Sequence, residues 1–237
     1  MRFDETSTIR CSADNTESHV TAAIDHVFIC CSVGGSEADA LTRLGLKEGS
    51  SNTHPGQGTA CRRFFFSNAY LELFWVSDPI EAQSAAVRST RLWERWSARG
   101  NAACPYGVVL RPAAGAVGSQ PPFASWSYSP HYMPPGLSID VAQETPLAGP
   151  EFFYLAFQRD RARIGQEPVS HDLPIGSLTG VTIWRPACGD SQAARALQVA
   201  GLVAFCDADE YLLELRFDDA HTGRADIRPT LPLLLRW

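Results

Sequence analysis

The chain has no apolar run approaching the roughly 18 to 20 residues that a membrane-spanning helix needs. Residues 1–22 lack the apolar core of a secretory signal, so a cytoplasmic protein without membrane partners is expected. Basic charge is sparse too. Twenty Lys and Arg stand against 26 Asp and Glu, for a net charge of −6, and apart from pairs such as Arg62-Arg63 the cations are scattered. Nothing could track a phosphate backbone, which excludes nucleic acid as a partner. The seven cysteines form no C-x-x-C, and their odd number argues against a disulfide framework. Cys30 and Cys31 are neighbours on an expected strand and point to opposite faces, so reduced, packed thiols are the simple reading.

Two stretches do rhyme. Ile24-Asp25-His26-Val27-Phe28-Ile29 leads through a short helical pattern to Leu44-Gly45-Leu46 and then to Tyr70-Leu71-Glu72-Leu73-Phe74. Leu178-Thr179-Gly180-Val181-Thr182-Ile183 leads through another to Ala200-Gly201-Leu202 and to Leu212-Leu213-Glu214-Leu215. Each reads as strand, helix and further strands, with one carboxylate inside an apolar strand. Such a repeat constrains architecture more than local propensity does. The division expected is a mobile tail at 1–22, a first β-α-β-β-β module at 23–78, a connector and β-rich segment at 79–177, and a second module at 178–237.

Ser36 and either Asp190 or Ser191 are placed to cap short helices at 36–44 and 191–200, with Gly45 and Gly201 at the left-handed C-terminal position. Ala85, Ser89, Leu92 and Trp96 follow 3.6-residue spacing and predict a longer helix at 80–98. Residues 59–66 and 68–76 read as a hairpin. Strand candidates follow at 106–111, 123–128, 137–142 and 152–158. The fold class is α+β, with curved mixed sheets enclosing a shared cavity.

His26 shares a strand face with Ile24 and Phe28, and Glu72 shares one with Tyr70 and Phe74. A buried Glu needs a partner. The pair suits a divalent metal, because imidazole nitrogen and carboxylate oxygen both ligate Zn, Fe, Mn or Ni; a hydrogen bond between the two, or to backbone, satisfies the pattern equally well. His54 lies in a Pro/Gly loop where a pocket rim is expected. Arg62 and Arg63 face opposite sides of a strand, so one of them can reach the cavity and hold an anionic group. Trp126 and Tyr128, with His131 and Tyr132, sit in a Pro-dense segment that could wall an apolar pocket or cover a sheet.

With I-D-H-V, Y-L-E-L and the strand–helix–strands plan between them, the chain resembles the vicinal oxygen chelate superfamily of glyoxalases, extradiol dioxygenases and bleomycin-resistance proteins. His54-Pro55-Gly56-Gln57-Gly58-Thr59-Ala60 followed by Tyr70-Leu71-Glu72-Leu73 is similar to bacterial glyoxalase-like domain proteins. The resemblance implies paired β-α-β-β-β modules with metal ligands on the first and last strand of each. It assigns His26 and Glu72 to the first module and Glu214 to the second, while Gly180 or Thr182 falls where a fourth ligand belongs. Residues 104–160 are an alternative second module, whose last strand at 152–158 offers no acid.

Two functions follow from the resemblance. One is a metal-dependent lyase, isomerase or dioxygenase acting on a small oxygenated substrate, with Glu72 or Glu214 as the base. The other is metal-free sequestration of a small aromatic or polycyclic molecule; in either case His54, Arg63, Trp126 and Tyr128 are the candidate ligand contacts. A third use, as a degenerate oligomerisation module, leaves a homodimer open.

Overall fold

The computed structural model describes residues 21–116, 120–157, 166–219 and 223–237; the tail expected at 1–22 falls almost wholly outside them. Two sheets make up the molecule. The larger has eight strands in the order β2-β3-β4-β1-β5-β8-β7-β6 and curls into a half-barrel. Its first half is β1 (Ala22–Cys30), β2 (Asn52–His54), β3 (Thr59–Phe65) and β4 (Tyr70–Val76). Its second half is β5 (Tyr106–Pro112), β6 (Ser125–Tyr128), β7 (Ile139–Ala142) and β8 (Glu151–Tyr154). Each half ends with its last strand parallel to its first, β4 beside β1 and β8 beside β5, and the halves join where β1 runs antiparallel to β5.

The residues that pair with the first module are therefore 106–154, the alternative, and not 178–237. The latter build a separate sheet, β10-β9-β11-β13-β12. There β9 (Leu178–Arg185) passes through α4 (Gln192–Val199) directly to a parallel neighbour, β10 (Ala204–Asp207), while β11 (Leu212–Phe217) lies antiparallel on its other side. The first unit instead passes from β1 through α1 (Ala38–Leu44) to an edge strand and returns to β1 only with β4. The rhyme is local: both units read strand–helix–strand, but the strand partners differ. The short strands β12 (Arg224–Asp226) and β13 (Leu233–Arg236) complete the small sheet.

Alternation sorts the side chains of the large sheet into two layers. One face carries Val27, Ile29, Phe64, Leu71, Leu73, Val108, Leu110, Phe152 and Tyr154, all in the main core with Leu41 of α1, Leu197 of α4 and the inner face of the small sheet. The other is concave and carries Phe28, Phe74, Val109, Tyr128, Val141 and Phe153. The small sheet thus braces the convex back of the large one, and the Tyr106 hydroxyl donates to the Pro232 carbonyl between them.

Helix ends follow the expected chemistry in part. Gly45 caps α1 at φ 108°, and the Ser191 hydroxyl accepts from the Ala194 N–H at the start of α4. Ser36 does not cap: Glu37 occupies that place without a side-chain cap and accepts from Ser32 N–H instead. The long helix expected at 80–98 is broken into α2 (Pro79–Ala82), a 3-10 turn at Arg88–Thr90 and α3 (Leu92–Ser97). Arg91 stands at φ 55°, which no continuous right-handed helix tolerates.

Candidate active site

Strand register builds the site. Reading across β3, β4, β1, β5 and β8 on the concave face gives one row of Arg63, Glu72, Phe28, Gly107 and Glu151. The adjacent row is Phe65, Tyr70, His26, Val109 and Phe153. The cavity-lining part of this face carries the charged groups on β3, β4 and β1 and is mainly apolar from β5 onward, where Glu151 lies outside the cavity wall. A cavity of about 620 Å³, counting its open mouth, lies over these rows. Its second-half lining is Val109, Tyr128, Tyr132, Ile139, Phe153 and Leu155, with two phenol hydroxyls as the polar side-chain groups.

His26 owes its setting to a β-bulge. The register slips between Ile24 and His26, so Asp25 is the extra residue opposite β5. A bulge re-aims side chains, and here it breaks the face expected from simple alternation: Ile24 packs into the convex core while His26 and Phe28 line the cavity. It also brings Asp25 and His26 together. Nδ1 of His26 donates to the Asp25 carboxylate at 2.8 Å, with both residues buried (6% and 4% exposed). The other carboxylate oxygen of Asp25 lies 3.9 Å from Nε of Arg111. Holding Nδ1 as the donor leaves Nε2 as the nitrogen that faces the cavity. The ring stacks on Tyr70 with centroids 4.3 Å apart.

Nε2 of His26 lies 4.0 Å from Oε2 of Glu72, itself only 6% exposed. That gap is too long for a hydrogen bond and about right for one intervening atom. Glu72 also accepts from the Cys61 thiol, and burial, the Glu72 charge and this bond all push that thiol's pKa up. Cys30, deeper under the same face, is pushed up to about 12 by burial. These cysteines are packed thiols and poor nucleophiles.

Of the expected contacts, His54, Arg63 and Tyr128 line the cavity. Trp126 packs against the apolar cluster beneath, 6.1 Å from the Tyr128 ring, without lining the cavity. Arg63 takes the cavity face, while Arg62 takes the opposite one and pairs with Glu48 and Asp39. Asn52, Gln57 and Asp25 were given no role by the sequence. They complete a chain across the mouth: Asn52 bonds His54, His54 and Gln57 both bond the Thr59 hydroxyl, and the Tyr128 hydroxyl donates to Gln57 at 3.2 Å. Burial pushes Tyr128 up to about 12, so it stays a neutral donor. The spacing of Asn52 and His54 on one strand face was the available signal for Asn52; the bulge at Asp25 left none.

Glu214 is elsewhere. It sits on β11 of the small sheet, where Arg236 Nε lies 3.0 Å and Arg216 Nη2 3.6 Å from its oxygens, and it is not part of the cavity wall. The acid assigned to it as a ligand or base is a bound partner in an ion-pair cluster, because its sheet packs on the convex side. His26 and Glu72 could together reach one ion at ligand distances of about 2.0–2.2 Å. Among the described residues, however, no three His, Cys, Asp or Glu side chains converge to hold one. Two protein donors fall short of the three that an open catalytic site keeps, so a resident divalent ion does not fit this donor set.

Residues 24–112 match the model of a family described as a glyoxalase-like domain. No curated protein sequence matches the chain. Among solved structures, a hypothetical protein from Staphylococcus aureus shares 12% identity with this chain and superposes over 91% of it and 98% of its own length, with a TM-score of 0.51, a likeness of fold alone. The strand plan of β1 to β4, the cavity in the curl of the sheet and the family match agree: residues 24–112 form a glyoxalase-like domain of the vicinal oxygen chelate type.

Proposed function

We propose that the protein binds a small molecule in the concave cavity without a resident metal. One observation carries this reading: the second half of the sheet sets Val109 and Phe153 in the row of His26, so an apolar wall faces the polar one. Such a site favours a compact ligand with an apolar body and a few polar groups that orient it. Arg63, His54 and Tyr128 supply the orienting contacts, and Phe28, Phe74 and Phe153 supply the wall.

The test uses protein purified without chelator or nickel resin. Metal content well below one ion per chain is expected, and affinity for the neutral apolar dye Nile red should be unchanged by EDTA. Stoichiometric metal whose removal abolishes binding would overturn the reading.

A second reading rests on the Asp25–His26–Glu72 arrangement. An imidazole whose Nδ1 is fixed by a carboxylate presents Nε2 as a proton acceptor, and a carboxylate 4.0 Å away can hold the proton on the far side of a substrate atom. The chain would then be a metal-independent proton-transfer enzyme acting on a carbon acid. Loss of deuterium exchange into bound carbon acids in both His26→Asn and Glu72→Gln, with binding retained, supports it; exchange that persists in both variants removes it.

A further inference from the structure

Arg63 and Glu72 occupy paired positions on adjacent antiparallel strands, where opposite charges ordinarily meet. They do not meet here: among the described residues no carboxylate lies within 4.0 Å of the Arg63 guanidinium. It is drawn aside instead, with Nε donating to the Ser50 carbonyl at 2.8 Å and Nη2 to the Ser50 hydroxyl at 2.7 Å and the Ser51 carbonyl at 3.3 Å, while its Cζ lies 5.1 Å from the Phe65 ring centroid and 5.8 Å from that of Tyr70. No acceptor for Nη1 is found among the described residues. Glu72, nearly buried, is held by a thiol, which is a weak donor, and by an imidazole 4.0 Å away. The cavity therefore holds one cation and one anion on adjacent strands, the cation bonded only to neutral groups and the anion without a charged partner at hydrogen-bond distance, next to an apolar compartment of Phe28, Phe74, Leu92 and Phe153.

A ligand that satisfies both carries a carboxylate and an ammonium close together, matching side chains on paired positions of adjacent strands, with an apolar group beyond. We propose that the cavity binds an α-amino acid with an apolar side chain. Its carboxylate lies against Arg63, its ammonium against Glu72, and its side chain among the phenylalanines. The ammonium would also meet the ring of Phe28, since aromatic faces attract cations. This class rests on the metal-free binding reading above.

Calorimetry with L-phenylalanine, 3-phenylpropionate and phenethylamine tests the class, since the two analogues each delete one charge. Phenylalanine should bind at least about tenfold tighter than either analogue, the scale of one charge-assisted hydrogen bond. Arg63→Met should weaken phenylalanine and phenylpropionate but spare phenethylamine. Glu72→Gln should weaken phenylalanine and phenethylamine but spare phenylpropionate, and Arg63→Lys should recover part of the carboxylate preference. Near-ultraviolet circular dichroism checks that each variant is folded. An analogue that binds as well as phenylalanine, or losses in the variants that ignore ligand charge, overturns the class. If none of the three binds while Nile red still does, the class is wrong and the cavity reading stands; if Nile red fails as well, the cavity reading falls with it.

Discussion

The two halves of the large sheet share a strand plan and divide the chemistry. Each carries a buried carboxylate in the same cross-strand row, Glu72 on β4 and Glu151 on β8. Glu72 faces an open cavity with weak partners. Glu151 is consumed by structure: it accepts from Nη2 of Arg95 at 3.1 Å and from the Thr145 hydroxyl at 2.7 Å, and Arg95, fully buried, also donates to the carbonyls of Cys104 and Gly149. One half has spent its acid on anchoring α3 and the loop before β8; the other keeps its acid for a ligand. A strand position can thus be equivalent in topology and opposite in role.

Removing the charge from each acid is the sharpest way to break that comparison. Glu151→Gln leaves Arg95 as an uncompensated buried cation, and breaking such a pair costs about 3–5 kcal/mol. Glu72→Gln removes no strong partner, so stability should change by less than about 1 kcal/mol while ligand affinity changes. Urea unfolding of the two variants side by side reads the difference. Equal losses would mean that Glu72 is also structural and that the division of labour is false.

The seam between the halves gives a smaller effect. Phe28 covers Gly107 so closely that an added Cβ would lie 2.1 Å from its ring. Both residues are in the Glu72 row, where the polar half meets the apolar one. Gly107→Ala must push the ring out of place, and overpacking of this kind costs about 1–3 kcal/mol. It should also weaken Nile red binding, because Phe28 is displaced into the cavity. A variant with wild-type stability and affinity would show that the ring has room to move.

The contrast between the halves also marks how far the sequence could be read. Glu72, His54 and Arg63 were legible because alternation on short strands and a Gly/Pro turn fix where they point, and His26 through its alternation with Phe28, although the bulge turns Ile24 to the other face. Glu214 was not, since a carboxylate in an apolar strand looks the same whether it faces a cavity or, as here, Arg236 and Arg216 on another sheet. The local pattern of β9 and α4 does not reveal that the next strand, β10, will pair directly with β9. Glu151 was missed by one residue: the last strand of the second half starts at Glu151, not at Phe152. The Asp25 bulge is a property of pairing with β5, whose Val109 and Leu110 lie far along the chain, so no local pattern announces it.

The smallest effect concerns the linker to the small sheet, which is fastened to the first half. Nδ1 of His171 accepts from the Lys47 N–H at 3.0 Å, and its Nε2 bonds to the Phe65 carbonyl at 2.9 Å. Burial, with the nearby Lys47 charge, holds this imidazole below its ordinary pKa of 6.5, against the pull of the Phe65 bond. Protonation would also destroy the acceptor that Lys47 needs. Between the lowered folded value and about 6.5 the unfolded chain binds more protons, so stability is complete above that window and declines as pH falls through it. Thermal midpoints measured from pH 7.5 to pH 5.5 should therefore fall more steeply for the wild type than for His171→Asn, which keeps an acceptor and cannot titrate in this range. Because the ring is only half buried and a single group is involved, the difference in slope should be modest. Parallel slopes would show that the His171 bonds do not hold the linker to the first half in a proton-dependent way.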